Sequence, residues 1–438
     1  MPEDLGTAVL AIVEVHDDGP APEPERYLAP FIVEPGSSGA RVATVGDGVW
    51  RALAVAIGEG RIVRSASRGA LVCRPGLGLS AFAPAGPASI GAWEERPLGA
   101  DQSNTSAVLG ERLLLKAYRR VVSGLNPDLE LIAFLAEERG SRQVPALGGS
   151  AEYVAPDGTV ATIAMLQELV PDAEDAYEST AERLAGWIAA PGVVALEYAT
   201  EDAAELGTAL AELHASLADG GELEAFATRS ATSDDLSAWR VDGEKHLEAA
   251  LEQLGADDRI GADLRAWAPA IRERLAVLET ISPPPLVARI HGDLHLGQVL
   301  RRPDGFVFVD FEGEPLRPIE ERRGLASPMR DLASLLLSFD HVSSSAERRA
   351  LAQGWMPGEH AGLDIAAWRR RSRERLLRAY GTRVRRLGAP IVVDERLIDG
   401  LAVAKECVEF VYAATYLPEW LFAPHEGMAR LLGVAAAR

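Results

Sequence analysis

Two hydrophobic periods divide the chain. Up to about residue 175, short apolar runs are broken by turn residues; beyond it, apolar positions recur mostly at helical spacing. Ala8–Val15 and Glu25–Val33 read as strands, and Pro30 marks an edge or a bulge because proline cannot donate to a ladder. The Gly46-Asp47-Gly48 turn leads into a helix over Val49–Ile57, and Arg61–Cys73 offers more strand-like runs. Ala107–Leu109 and Leu113–Tyr118 predict a hairpin about Gly110-Glu111, and Asn126-Pro127 opens a helix. Tyr153–Val170 folds back at Pro156-Asp157-Gly158. Glu201–Ala218 carries Ala203, Leu206, Leu210, Leu213 and Leu217 on one helical face, with His214 packed beside them. Val299–Arg301 and Phe306–Phe311 form a hairpin around Pro303-Asp304-Gly305. Ser327 and Pro328 supply an N-cap and first residue for a helix whose stretch Leu332–Phe339 is buried. Trp368–Tyr380 and Asp399–Leu417 are the last long helices.

The composition removes several classes. The chain has 438 residues and 47% hydrophobic content, enough for two or three domains with a sizeable core. No apolar run approaches a membrane span, and the acidic N-terminus is unlike a signal peptide. Cys73 and Cys407 are the only cysteines, so no disulfide framework exists and a cytoplasmic protein is expected. A net charge of −21 argues against nucleic-acid binding. The arginine-dense face of Trp368–Tyr380 therefore reads as solvated and paired with local acids. Neither a nucleic-acid nor a membrane partner is expected.

The stretch with the most chemistry is residues 290–312, IHGDLHLGQVLRRPDGFVFVDFE. A loop carrying Asp293 and Gln298 lies near a strand end offering Asp310 and Glu312. That combines a carboxylate suited to be a base with hard oxygen ligands suited to Mg²⁺. Phosphoryl transfer needs such a set: an acid to orient the attacking hydroxyl and take its proton, and oxygen donors to hold Mg²⁺ on the phosphates. A metal hydrolase built on His291 and His295 is the rival reading. The two are four apart, but in a glycine-containing loop and with no glutamate between them. Asp331, at the start of its helix, is expected to hydrogen-bond the backbone of this loop.

HGDLHLGQVLR, followed by DFEGEPLRPIEERR and SPMRDLASLLLSF, resembles the catalytic segment of the aminoglycoside-phosphotransferase/choline-kinase superfamily. Within it the match is closest to the actinobacterial maltokinases and their relatives, including glucosamine kinases. The resemblance implies an α+β fold of bilobal, eukaryotic-protein-kinase-like type. A β-rich cap subdomain would span 1–95, a kinase-like N-lobe 96–175 and a mostly helical C-lobe 176–438. It also implies Asp293 as catalytic base and Gln298 and Asp310 as Mg²⁺ ligands. QSNTS, KAYRR and SGLNPDLEL extend the match. They imply that Ser103, Asn104, Thr105, Ser106, Lys116 and Glu130 hold the phosphates of ATP, Lys116 pairing with Glu130. Gln167, Glu168 and Leu169 fall where such folds bond adenine. The acceptor side is assigned to Asp293, His295, Glu312, Glu409 and Trp420, with carboxylates for hydroxyls and a ring for the apolar face of a sugar.

These readings imply an ATP- and Mg²⁺-dependent sugar kinase, a monomer or homodimer. Glucosamine is favoured, phosphorylated at its 6-hydroxyl. Maltokinases usually begin with an Arg-Trp-Tyr-rich segment that this chain lacks. The C-terminal segment is acidic, which suits a cationic sugar, and Tyr416–Trp420 is similar to the glucosamine-kinase branch. Maltose, giving maltose 1-phosphate, is the near alternative, followed by an aminoglycoside acceptor. A non-catalytic kinase-fold binding protein is the alternative outside enzymes.

Overall fold

Strands fill the first part of the chain and helices the second. In a computed structural model, residues 7–16, 25–34, 39–99, 104–189, 194–220, 223–255, 259–354 and 363–434 are described. They fall into two compact units, Met1–Pro171 and Asp172–Arg438.

The first unit opens with an antiparallel sheet of Thr7–Val15 (β1), Glu25–Val33 (β2) and Ala40–Val42 (β3), in that order. β2 is the central strand, so Pro30 is not on an edge. Its carbonyl accepts from Ala43 at 2.9 Å, just past the end of β3, so its missing N–H falls where the ladder has stopped. Helix α1 (Val49–Gly58) follows, then β4 (Ile62–Arg64), β5 (Ala70–Pro75), the short α2 (Leu79–Phe82) and β6 (Glu95–Pro97). Next come β7 (Thr105–Leu109), β8 (Leu113–Ala117), α3 (Pro127–Ala133), β9 (Leu147–Val154) and β10 (Val160–Glu168). β4 to β10 form one seven-stranded sheet in the order β4-β5-β9-β10-β8-β7-β6, drawing strands from both sides of residue 95. Trp50, Leu53 and Ile57 of α1 pack into the same core as Leu109, Leu113, Leu115, Ile163 and Leu166. Burying side chains of this size stabilises by about 1.5–3 kcal/mol each.

In the second unit β11 (Glu174–Asp175) leads to α4 (Ala176–Ala189), α5 (Leu196–Ala199) and α6 (Glu201–Ala218). Then come β12 (Arg229–Ser230), α7 (Ser233–Gln253), α8 (Arg259–Ala276), β13 (Leu286–Val287), β14 (Val299–Arg302) and β15 (Gly305–Phe308). The chain ends through α9 (Ile319–Arg322), α10 (Pro328–Ala352), α11 (Ile365–Leu387), α12 (Glu395–Tyr416) and α13 (Phe422–Leu432). α6 lies close on α11 because Gly207 has no side chain; a Cβ there would meet the Leu376 carbonyl at 2.4 Å. The arginine face of α11 is ion-paired, Arg369 with Glu347, Arg371 with Glu197 and Arg373 with Asp399. The charged run Glu320–Arg322 forms most of α9. One local expectation is corrected: β15 ends at Phe308 rather than Phe311. Asp310 takes φ 66°, which breaks strand geometry. Among the described residues no helix is long and apolar enough to cross a membrane.

Candidate active site

The loop between β13 and β14 is held in place from below. Leu294 and Leu296 are buried, while Asp293 and His295 beside them are partly exposed. Ser327 caps α10 by accepting from Met329 N–H at 3.3 Å, and Asp331 sits in its first turn. The Asp331 carboxylate accepts from the backbone N–H of His291 at 2.8 Å and of Gly292 at 2.9 Å. It is itself held by His214 at 3.1 Å. The Tyr380 hydroxyl, whose pKa burial pushes up, keeps its proton and donates to His214 Nδ1 at 2.8 Å, leaving Nε2–H for Asp331. Burial would raise the Asp331 pKa, but the His214 bond and the loop N–H groups hold it below the ordinary carboxylate value. Both expectations, a structural His214 and a loop-binding Asp331, are met.

His291 and His295 do not form a metal pair. His291 donates through Nε2 to the Val309 carbonyl at 3.0 Å, accepts from Asp293 N–H at 3.4 Å and packs on Phe311. His295 accepts from Gly297 N–H through Nδ1 at 3.1 Å. Burial pushes its pKa below the ordinary histidine value, which leaves Nε2–H as a neutral donor. The hairpin then sets the remaining oxygen groups. Val309 N–H donates to the Gln298 carbonyl at 3.0 Å, continuing the β14–β15 pairing by one step. Gln298 therefore pairs with Val309, next to Asp310, and its Nε2 donates to Asp310 Oδ2 at 3.2 Å. An amide oxygen and a carboxylate side by side are hard donors of the kind Mg²⁺ takes, so the residues fit such an ion. Glu312 is half-buried and follows the fully buried Phe311.

Asp293 has a partner that the linear motif does not contain. Lys405 of α12 places Nζ 2.9 Å from Asp293 Oδ1, 3.3 Å from Glu314 Oε1 and 2.9 Å from Glu409 Oε1. Burial would lower the lysine pKa, but the three carboxylates together raise it well above the ordinary value, so it is an ammonium. Glu314 is 2% exposed and also binds Arg317 at 2.7 Å and Arg330 at 2.8 Å, while Arg317 reaches Asp242 of α7. Burial would raise the Glu314 pKa; Lys405, Arg330 and Arg317 hold it far below the carboxylate range. The cluster sets five carboxylates (Asp242, Asp293, Glu314, Glu321, Glu409) against three cations (Lys405, Arg317, Arg330), 3 − 5 = −2.

Lys405, Glu409, Tyr412 and Tyr416 fall at i, i+4, i+7 and i+11, one face of α12. Tyr412 and Tyr416 have ring centroids 5.2 Å apart, and the Asp293 and Glu409 charges add to the burial that raises the Tyr412 pKa. Trp420 lies just beyond, half-buried, 6.0 Å from the Tyr177 ring and 5.2 Å from Phe422. Lys405 could have been suspected from its i,i+4 spacing to Glu409, but nothing local to α12 points to Asp293.

On the first unit, Ser103 lies outside the described residues. Asn104 is buried, and Thr105 and Ser106 belong to β7, in register with Ala117 and Lys116. Lys116 is buried on β8 and lies 2.9 Å from Asp128 Oδ2, which also accepts from Tyr118 at 3.3 Å. Glu130 is buried on the same turn of α3. The sequence reading offered Glu130 alone as partner of Lys116; the structure adds Asp128, whose position just inside an Asn126-capped helix start was the available signal. Gln167 is buried in β10. The N–H of Glu168 donates to Ala146 and that of Leu169 to Arg112, both at 2.9 Å.

A family model described as a phosphotransferase enzyme family matches residues 94–372. The glucosamine kinase of Streptacidiphilus jiangxiensis is 31% identical over 411 residues, covering 93% of this chain and 86% of that protein. A glucosamine kinase of Mycolicibacterium smegmatis is 29% identical over 392 residues, covering 88% and 91%. The solved structure of a glucosamine kinase in complex with glucosamine, ADP and inorganic phosphate has a TM-score of 0.72 at 26% identity. It covers 98% of this chain and 94% of that one.

Proposed function

The chain belongs to the phosphotransferase enzyme family, and we propose that it is an ATP- and Mg²⁺-dependent glucosamine kinase, forming glucosamine 6-phosphate and ADP. The observation that carries the acceptor assignment is the charge cluster around Asp293. Its net negative charge, with Glu409 held 2.9 Å from Lys405, suits a cationic acceptor. The likeness to solved and curated glucosamine kinases supports the same reading.

In this mechanism the sugar 6-hydroxyl attacks the γ-phosphorus in line. Asp293 orients that hydroxyl and accepts its proton, and the bond from phosphorus to the β,γ-bridging oxygen breaks, releasing ADP. Gln298 and Asp310 would hold Mg²⁺, which neutralises charge on the phosphates when bound. Lys116, Glu130 and the 103–106 segment position the phosphates. Gln167–Leu169 lie along adenine; the N–H groups of Glu168 and Leu169 are already donating, so their carbonyls serve an adenine amino group. His295 and Glu312 bond sugar hydroxyls, Glu409 reads the amine, and Trp420 stacks on the ring.

The test is ADP release with ATP and Mg²⁺ over glucosamine, N-acetylglucosamine, glucose, maltose and kanamycin. Turnover is expected with glucosamine and little with N-acetylglucosamine, whose amide carries no charge. Turnover with maltose or kanamycin alone overturns the acceptor assignment. Nucleotide binding without turnover on any acceptor overturns the catalytic reading.

A further inference from the structure

We propose that Lys405 is a positioning residue of the transfer: its single ammonium clamps the proton-accepting Asp293 and the amine-reading Glu409 to one buried anchor, Glu314. The proposal rests on the phosphotransferase reading above and deepens it.

The geometry argues for positioning and against direct contact with the transferring phosphoryl group. An ammonium has three N–H donors, and three carboxylates already lie within 3.3 Å of Nζ. The side chain is 12% exposed, so water replaces these bonds poorly. The anchor is fixed independently of Lys405, because Arg317 and Arg330 hold the other oxygen of Glu314. Asp242 of α7 steadies Arg317 in turn. The catalytic loop and α12, far apart in sequence, thus meet at one cation that is tied to α10 and α7.

The other titratable groups facing this trio are few. His295 and Tyr412 feel Asp293, Glu409 and Lys405. Behind α12, His341 and Glu406 bond each other at 3.0 Å and feel Glu409. None of these supplies a permanent cation beside Asp293. Removing the ammonium leaves Asp293, Glu314 and Glu409 repelling one another, which raises the proton affinity of Asp293 and lets both functional carboxylates drift.

Lys405→Met tests this. It is expected to lower kcat about 100-fold, the scale of a reacting group displaced by about 1 Å. The acid limb of kcat/KM for glucosamine should move up by roughly one pH unit or more, and KM for glucosamine should rise while KM for ATP holds. Lys405→Arg, which keeps the charge, should return the acid limb toward its original position. A Lys405→Met enzyme whose acid limb and glucosamine KM are unchanged overturns the proposal, whatever its loss of thermal stability. Where the methionine variant does not fold, Lys405→Gln, which keeps hydrogen-bonding atoms but no charge, is read the same way. Wild-type inactivity with glucosamine would instead sink the earlier reading, so the two failures are told apart.

Discussion

Replacing Asp331 with asparagine isolates how the loop carrying Asp293 is held. The substitution preserves volume and changes one oxygen to an NH₂ group. In the native protein Oδ2 accepts from His291 N–H and His214 Nε2–H, and Oδ1 accepts from Gly292 N–H. An asparagine can keep its oxygen toward the first two donors only by pointing its own N–H at that of Gly292. One charge-assisted bond, worth about 1.5–3 kcal/mol, is then lost, and a buried N–H is left unpaired at about 1–3 kcal/mol more. The remaining two bonds weaken because the acceptor is no longer charged. The sum is roughly 2.5–6 kcal/mol, which spans the range for breaking a buried pair. At about 2 °C per kcal/mol for a unit of this size, Tm should fall by roughly 5–12 °C. Gly292 adjoins Asp293, so turnover of the folded fraction should also drop, about 100-fold for a 1 Å displacement. Differential scanning fluorimetry and ADP release on the same preparation check both. A variant with wild-type Tm and turnover would refute the claim that Asp331 sets the loop. The same group predicts an acid dependence. Its folded pKa is lowered, so its contribution is full above the unfolded value near 3.9 and is lost as pH falls through the folded value. Wild-type stability should therefore fall more steeply below about pH 4 than that of Asp331→Asn.

Asp293→Asn should reduce kcat by about 10²–10⁴ while isothermal titration still shows wild-type ADP affinity. Asp310→Asn should raise the Mg²⁺ concentration for half-maximal rate about tenfold or more, and EDTA should stop ADP release reversibly. An unchanged Mg²⁺ dependence would remove Asp310 from the metal site. Gly207→Ala puts a methyl against the Leu376 carbonyl and should cost about 1–3 kcal/mol by denaturant unfolding, with KM values unaffected. Trp420→Ala should raise KM for glucosamine by roughly tenfold and leave KM for ATP alone, as expected for loss of a stacking face.

Much of the site was legible because it is short in sequence. Asp293, Gln298 and Asp310 lie in one loop-and-hairpin segment, so the turn at Pro303-Asp304 alone brings Gln298 within hydrogen-bond reach of Asp310. The α10 start was equally local: Ser327, Pro328 and Asp331 interact within one turn, where capping and dipole rules apply. The α6 stripe fixed that helix from Glu201 to Ala218 for the same reason, since its apolar period is written over consecutive turns.

Tertiary packing decided what lies outside that range. Lys405 reaches Asp293 across 112 residues and Glu314 across 91, and no local pattern distinguishes it from any lysine facing a glutamate one turn away. No local pattern sets Glu314 apart from the acids around it, yet it is 2% exposed and anchors three cations. Whether a carboxylate ends in water or in such a cluster depends on which helices close over it, and helix docking is set by the summed burial of many apolar positions. Asp128 facing Lys116 likewise depends on how α3 is rotated against β8, which the sequence leaves open between two acids two residues apart. The chain by itself determined the local elements and the reaction class, and it marked Asp293 as the proposed base. The fold alone decided which distant charges hold that base in position, because ion pairs of this kind exist only after the backbone has brought their partners together.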